Sequence, residues 1–316
     1  MGAELVVLIV VTAGMMGFWH WLYHIVNPTA MSGDKWYMRQ MAFTTLPISP
    51  PYCWRPLLPA LARRLGFPAV SYTATFLAPI VVYFYVGGGW TGTACGLMFV
   101  GTNRIFSFNI KNPEYAEGLG QFLLLSSLWA ISSGSLLAWP LLLLAALCRE
   151  TLSAILGVVV LFVNPWLLIP LVVGSAASYL SRDEDQENRH PLVEKTAYET
   201  LVRWTREKGG NAISYAHTIQ PLRGLAFTVP FMWGAVGDFA RLGLVALAPI
   251  WLLALPASGQ SRIVCYAFGL LIPFAAALPP GWLWFVVMLQ WFWPVDYGLF
   301  NEGGDVKFAL IRGKKV

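Results

Sequence analysis

The chain has 316 residues, 57% of them hydrophobic and 12% charged, with a mean hydropathy of +0.60 and a formal net charge of +5. A soluble domain is about half apolar and a quarter charged, so this composition excludes an ordinary soluble enzyme and points to a polytopic membrane protein. The positive balance fits topology signals and contact with membrane lipid, and the absence of any aromatic-basic motif excludes nucleic acid as a partner.

In chain order, residues 5–26 read as a retained first span, since MGAELVVLIVV has neither a basic n-region nor a small-residue cleavage site. The span ends in FWHWLYH, with His20 and His24 one turn apart on one face. Such spacing is half a metal site; without a third ligand it reads as a polar patch at the membrane interface.

Residues 27–66 form the first loop, and its core, DKWYMRQMAFTTLPISPPYCWRPLLPALARRLG, gathers Asp34, Lys35, Arg39, Arg55, Arg63 and Arg64. So dense a charge cluster in an otherwise apolar chain needs water or a polar task, which makes it the place to look for chemistry. The run from Pro47 to Pro51 cannot be helix interior, because proline lacks the amide donor and pushes its predecessor toward extended geometry. After it, Pro56 and LLPALARRL predict an amphipathic helix from Arg55 to Leu65 lying on the membrane surface.

Residues 67–86 and 90–108 read as the second and third spans, joined by a tight turn at Gly87, Gly88 and Gly89. Asn103 and Arg104 interrupt the third. The connector KNPEYAEGLGQ carries Lys111, Glu114 and Glu117; Glu117 opens the fourth span, 119–133, and Gly118 and Gly120 permit close helix approach. Residues 136–180 are almost wholly apolar but broken at Arg149-Glu150-Thr151, at Asn164-Pro165 and at Pro170, predicting two or three short helices.

Residues 181–223 are the one long hydrophilic connector, with an amphipathic surface helix expected at 192–207 and loop histidines, His190 and His217, near its ends. Residues 225–300 supply further spans, broken near Asp238 and Arg241, at 258–262 and at Pro279-Pro280-Gly281. Asp238 and Arg241 are spaced to pair on one helix face. The tail KFALIRGKKV favours a cytoplasmic C-terminus. Cys53, Cys95, Cys148 and Cys265 are scattered singly and read as small core residues. The expectation is all-α: one transmembrane domain over residues 1–316, a bundle of about 9–11 spans with several short or broken helices. No Walker loop, HExxH, nucleophile elbow or Gly-rich dinucleotide loop is present, which removes several enzyme classes.

Three elements then stand in order: Asp34 followed by Tyr37 in GDKWYMRQMA, the stretch Tyr52-Cys53-Trp54-Arg55-Pro56-Leu57-Leu58-Pro59, and Arg149-Glu150-Thr151 in LLAALCRETLSAIL. Their order and approximate spacing resemble bacterial members of the GT-C superfamily of integral-membrane glycosyltransferases. The resemblance implies an inner-membrane enzyme that moves a sugar from a polyprenyl-phosphate donor to an acceptor at the outer face; the lipid-linked donor is its substrate, no other cofactor is expected, and no metal-ligand set is read from the sequence. It implies Asp34 as general base toward the acceptor hydroxyl, and Arg39 and Arg55 on the departing phosphate with Tyr37 and Tyr52 beside the substrate. Arg149 and Glu150 would line the cavity from the membrane side, so Asp34, Arg55, Arg149 and Glu150 are expected to converge.

Lys35, Arg39, Arg55, Arg63 and Arg64 would by charge alone place the first loop in the cytoplasm; the outer placement follows the motif order, since phosphate binding gives those arginines a functional reason. Two other classes fit the same composition. A transporter or channel also has broken spans and intramembrane charge, although the two halves show no similarity; a non-catalytic subunit of a larger assembly would dock through the 192–207 helix.

Overall fold

The computed structural model describes residues 2–26, 39, 42–43, 55–102, 105–180, 222, 224–254 and 265–292. Among these residues every regular element is a helix. The first, α1 (Ala3–His20), continues through a π-helical turn at Trp21–Val26. Pro56 precedes α2 (Leu57–Leu65), and Gly66, at φ +84°, stops it, a backbone angle that costs little only for glycine. Leu58, Pro59 and Ala62 of α2 are buried while Arg63, Arg64 and Leu65 are exposed, the amphipathic helix implied by LLPALARRL.

Next come α3 (Phe67–Tyr85) and α4 (Gly89–Gly101), reversed against each other through Gly87 at φ +94° and Gly88 at φ +78°. The run expected as one third span divides into α4 and the short α5 (Phe106–Lys111); Asn103 and Arg104 lie outside the described residues. α6 (Glu117–Ser132) opens at Glu117, as the placement of an acid at a helix start implies.

The long apolar run becomes α7 (Ala138–Cys148), α8 (Glu150–Val163) and α9 (Leu168–Leu180). Arg149 alone, extended at φ −164° and ψ 135°, separates α7 from α8. Asn164 makes the second break, its Oδ1 accepting the Trp166 N–H at 3.2 Å ahead of a 3-10 turn that Pro165 begins. Pro170 does not break the chain: it sits in the first turn of α9, where the amide it lacks would have no intrahelical acceptor.

The last elements are α10 (Gly224–Met232), α11 (Asp238–Gly243), α12 (Leu247–Ala254), α13 (Phe268–Ala276) and α14 (Pro280–Phe292). Asp238 and Arg241 pair at 3.0 Å, as their spacing suggests. The expected helix at 192–207, His190, His217 and the C-terminal tail lie outside the described residues.

Among the described residues two helices are long and apolar enough to cross a membrane, Ala3–Ile25 with 23 residues and Phe67–Tyr85 with 19. The next longest single α-helix among the described residues, α6, has 16, against the roughly 20 that a full span needs. Of the expected bundle of about 9–11 spans with short or broken helices, the described residues hold two helices of span length and a set of shorter apolar ones.

α3 is central, packed along α6, α4, α2 and α1. Small residues set these approaches. A Cβ on Gly118 of α6 would lie 2.8 Å from Ser71 Oγ and 3.0 Å from Thr75 Oγ1 of α3, and one on Gly96 of α4 would lie 2.7 Å from the Leu8 side chain of α1. Gly118→Leu is therefore expected to lower stability by about 1–3 kcal/mol, the usual result of overpacking. Thermal unfolding followed by circular dichroism in detergent checks this against Gly157→Leu, whose Cβ would enter open space and whose unfolding midpoint is expected not to fall.

Around a buried apolar core, large apolar side chains are also exposed and several charged ones are buried. Phe18, Trp21, Leu136, Trp166, Phe231 and Trp282 are exposed, whereas Lys111, Glu114, Glu117, Gln121 and Arg149 are buried.

Candidate functional site

The buried charge gathers where α6 begins and where α7 gives way to α8. At that break the extended Arg149 ends one helix, and Glu150 enters the first turn of the next, a favourable place for a carboxylate at the positive end of a helix. Although neighbours in sequence, the two take different partners. Arg149 Nη1 donates to Glu117 Oε1 at 2.5 Å and to Tyr266 Oη at 3.4 Å, and the guanidinium carbon lies 5.6 Å from the centroid of the Tyr266 ring.

Arg55, at the head of α2, donates from Nε to Glu150 Oε2 at 3.0 Å and from Nη2 to Glu150 Oε1 at 2.5 Å, a two-pronged pair. Burial works against the charge on Arg55, but the Glu150 carboxylate beside it prevails and holds the guanidinium pKa above its ordinary value. Arg149 is near enough to oppose that charge and Glu117 near enough to support it, so the four residues form one electrostatic unit. The two pairs differ in their access to water. The side chains of Arg149 and Glu117 are 8% and 7% exposed, those of Arg55 and Glu150 12% and 40%.

A third pair lies one turn before Glu117, where Arg39 Nη2 donates to Glu114 Oε1 at 2.6 Å, the arginine exposed and the glutamate buried. Around these pairs are further buried polar atoms without a hydrogen-bond partner among the described residues: the hydroxyls of Ser71 and Thr75, Asn109 Nδ2, Gln121 Oε1, Glu114 Oε2 and Arg149 Nε. Ser71 and Thr75 stand one turn apart on α3, facing Gly118 of α6.

The two histidines of α1 and its π-helical extension serve a helix end. His24 Nε2 donates to the Ile110 carbonyl at 2.8 Å, the Tyr72 hydroxyl donates to the same oxygen at 3.2 Å, and His20 Nδ1 lies 3.0 Å from that hydroxyl. Ile110 is next to last in α5, whose final carbonyls have no intrahelical donor. Among the described residues no group of three or more His, Cys, Asp or Glu side chains is placed to hold a metal ion.

Of the residues expected to act together, the structure brings Arg55, Glu150 and Arg149 into one network, while Arg39 is held by Glu114. Asp34, Tyr37, Tyr52 and Cys53 lie outside the described residues; Cys95, Cys148 and Cys265 are buried. No family model, curated protein or solved structure matches the chain. The chemistry of the site therefore rests on its own residues, and three of these, Glu114, Glu117 and Tyr266, had no assigned role from sequence. Glu117 carried a signal, a carboxylate set against the glycines of an apolar helix, but the same signal serves a plain helix start.

Guanidiniums bind phosphate through paired, charge-assisted hydrogen bonds, and two of them stand in this network. Each already has a carboxylate partner, as it must: a buried charge without one costs several kcal/mol.

Proposed function

We propose that the chain is a polytopic protein of the bacterial inner membrane and a GT-C-type glycosyltransferase, moving a sugar from a polyprenyl-phosphate donor to an acceptor at the outer face. The observation that carries this reading is the meeting of Arg55 with Glu150 and, through them, Arg149, since two of the three motif elements, 95 residues apart, share one network. The outward-facing apolar side chains support the membrane setting. So do the exposed tryptophans: Trp21, Trp90, Trp139, Trp233 and Trp282 stand at or next to helix ends, where an amphipathic ring suits a membrane interface. The extended backbone at Arg149 is compatible with membrane depth because it is buried in protein.

In this reading the acceptor hydroxyl attacks the anomeric carbon as Asp34 takes its proton, and the bond from that carbon to the phosphate oxygen breaks. The lipid phosphate leaves with the electron pair, its charge met by Arg55 and Arg39, while Tyr37 and Tyr52 flank the substrate and Arg149 supports Arg55. The donor supplies the leaving group, and the step as written needs no other cofactor.

Donor binding to the purified protein in lipid nanodiscs, over a panel of radiolabelled polyprenyl-phosphate sugars, tests the reading. Arg55→Ala is expected to weaken binding by about 10- to 100-fold, the effect of losing a charge-assisted hydrogen-bonded pair. If no donor binds the unmodified protein, the glycosyltransferase reading fails in favour of a transporter, which the polar side chains buried between α3, α5 and α6, without hydrogen-bond partners among the described residues, would also suit.

A further inference from the structure

We propose that Glu150 is the internal counter-ion of an anion-exchange site at Arg55: it occupies the guanidinium fork until the phosphate of a polyprenyl phosphate enters, and then turns out into water. The inference rests on the lipid-donor reading and adds to it a competitor built into the chain.

Both carboxylate oxygens of Glu150 accept from Arg55, one from Nε and one from Nη2. A phosphate can therefore reach those two N–H groups only by replacing the carboxylate. The inner pair is not the one to yield, because Arg149 and Glu117 are both buried and Arg149 is also held by the Tyr266 hydroxyl. The outer pair differs. With 40% of its side chain exposed, Glu150 has room to swing out of the fork, whereas Arg55, at 12%, stays in the protein.

Charge favours the exchange. Moving the Glu150 carboxylate outward removes one negative charge from beside two arginines and the N-terminal end of α8. A buried donor is also at hand, since Arg149 Nε has no hydrogen-bond partner among the described residues. Phosphate brings at least the charge of the carboxylate and an extra acceptor oxygen, so it can engage the fork and a further donor together, which Glu150 does not.

The test measures binding of polyprenyl phosphate, of the uncharged polyprenol and of inorganic phosphate to the full chain in nanodiscs of neutral lipid. Glu150→Gln is expected to bind polyprenyl phosphate about tenfold more tightly than the unmodified protein, and Arg55→Ala about tenfold or more weakly, with the double variant as weak as Arg55→Ala. Glu150→Asp keeps the charge but shortens the reach; it is expected to fall between the unmodified protein and Glu150→Gln, and it guards against a glutamine variant that fails to fold. Unchanged or weaker binding by both Glu150 variants, with Arg55→Ala still weakened, overturns the exchange while leaving the lipid-phosphate reading in place. Absence of polyprenyl phosphate binding to the unmodified protein and to every variant overturns both. Inorganic phosphate binding as tightly as the lipid would assign the site to free phosphate and overturn the lipid as its source.

Discussion

Arg149→Met is expected to be among the most destabilising single changes in the chain, at about 3–5 kcal/mol, because it leaves Glu117 buried with its principal counter-charge gone. Glu117 donates nothing in its ionised form, so the hydrogen bond from Arg149 Nη1 at 2.5 Å is not replaceable by the methionine, and the Tyr266 hydroxyl loses the same donor. The double variant Glu117→Gln with Arg149→Met removes both charges and is expected to recover much of the loss, since an apolar or neutral pair of similar volume avoids the desolvation of two ions. Chemical or thermal unfolding in a mild detergent gives the comparison. Arg55→Met provides the contrast: its partner Glu150 is 40% exposed and can be hydrated once left alone, so the expected loss is the smaller of the two. Equal losses for Arg149→Met and Arg55→Met would mean that water reaches Glu117 as readily as Glu150, and the division into an inner and an outer pair would fall.

What could be read from the sequence was local, and what could not be read was the identity of partners. The helix α2, the glycine reversal before α4 and the breaks at Arg149 and Asn164 were legible because proline, glycine and a charge in an apolar run each act on the backbone within a turn. Pro170 shows the limit of that reasoning: whether proline breaks a helix depends on its distance from the helix start, and that start is set by Asn164 and the 3-10 turn that follows it. The number of spans is a coarser reading, since hydropathy averages over a window while helix length is set by single residues such as the extended Arg149, and among the described residues two helices reach span length.

The site divides in the same way. That Arg149 and Glu150 are adjacent suggests a shared role or a mutual pair, but the extended backbone at Arg149 lets one reach Glu117 at the head of α6 and the other Arg55 at the head of α2. Those choices are fixed by packing of α6, α7 and α2, which no spacing within a single segment encodes. Tyr266 was invisible for the same reason, lying 117 residues beyond the arginine it touches. Asp34, Tyr37 and Tyr52 lie outside the described residues, and their roles are those proposed above.

Asp34→Asn is expected to lower the rate of sugar transfer by about 10² to 10⁴, the range associated with loss of a general base, while leaving donor affinity nearly unchanged. The amide keeps the size of the side chain but cannot accept the acceptor's proton, whereas the phosphate contacts proposed for Arg39 and Arg55 remain. The measurement is single-turnover transfer from a radiolabelled polyprenyl-phosphate sugar, with binding of the same donor measured on the same preparation. The described carboxylates sharpen the outcome. Glu117 and Glu150 are engaged by Arg149 and Arg55, but Glu114, tied to Arg39 through Oε1, has its Oε2 buried and without a hydrogen-bond partner among the described residues. A buried carboxylate oxygen without a donor among the described residues has a lone pair to take a proton, so Glu114→Gln is the matched control. Loss of rate on Asp34→Asn with Glu114→Gln near the unmodified rate assigns the base to Asp34. The reverse result would move the proton acceptor to the turn before α6 and leave Asp34 without a role in the transfer step.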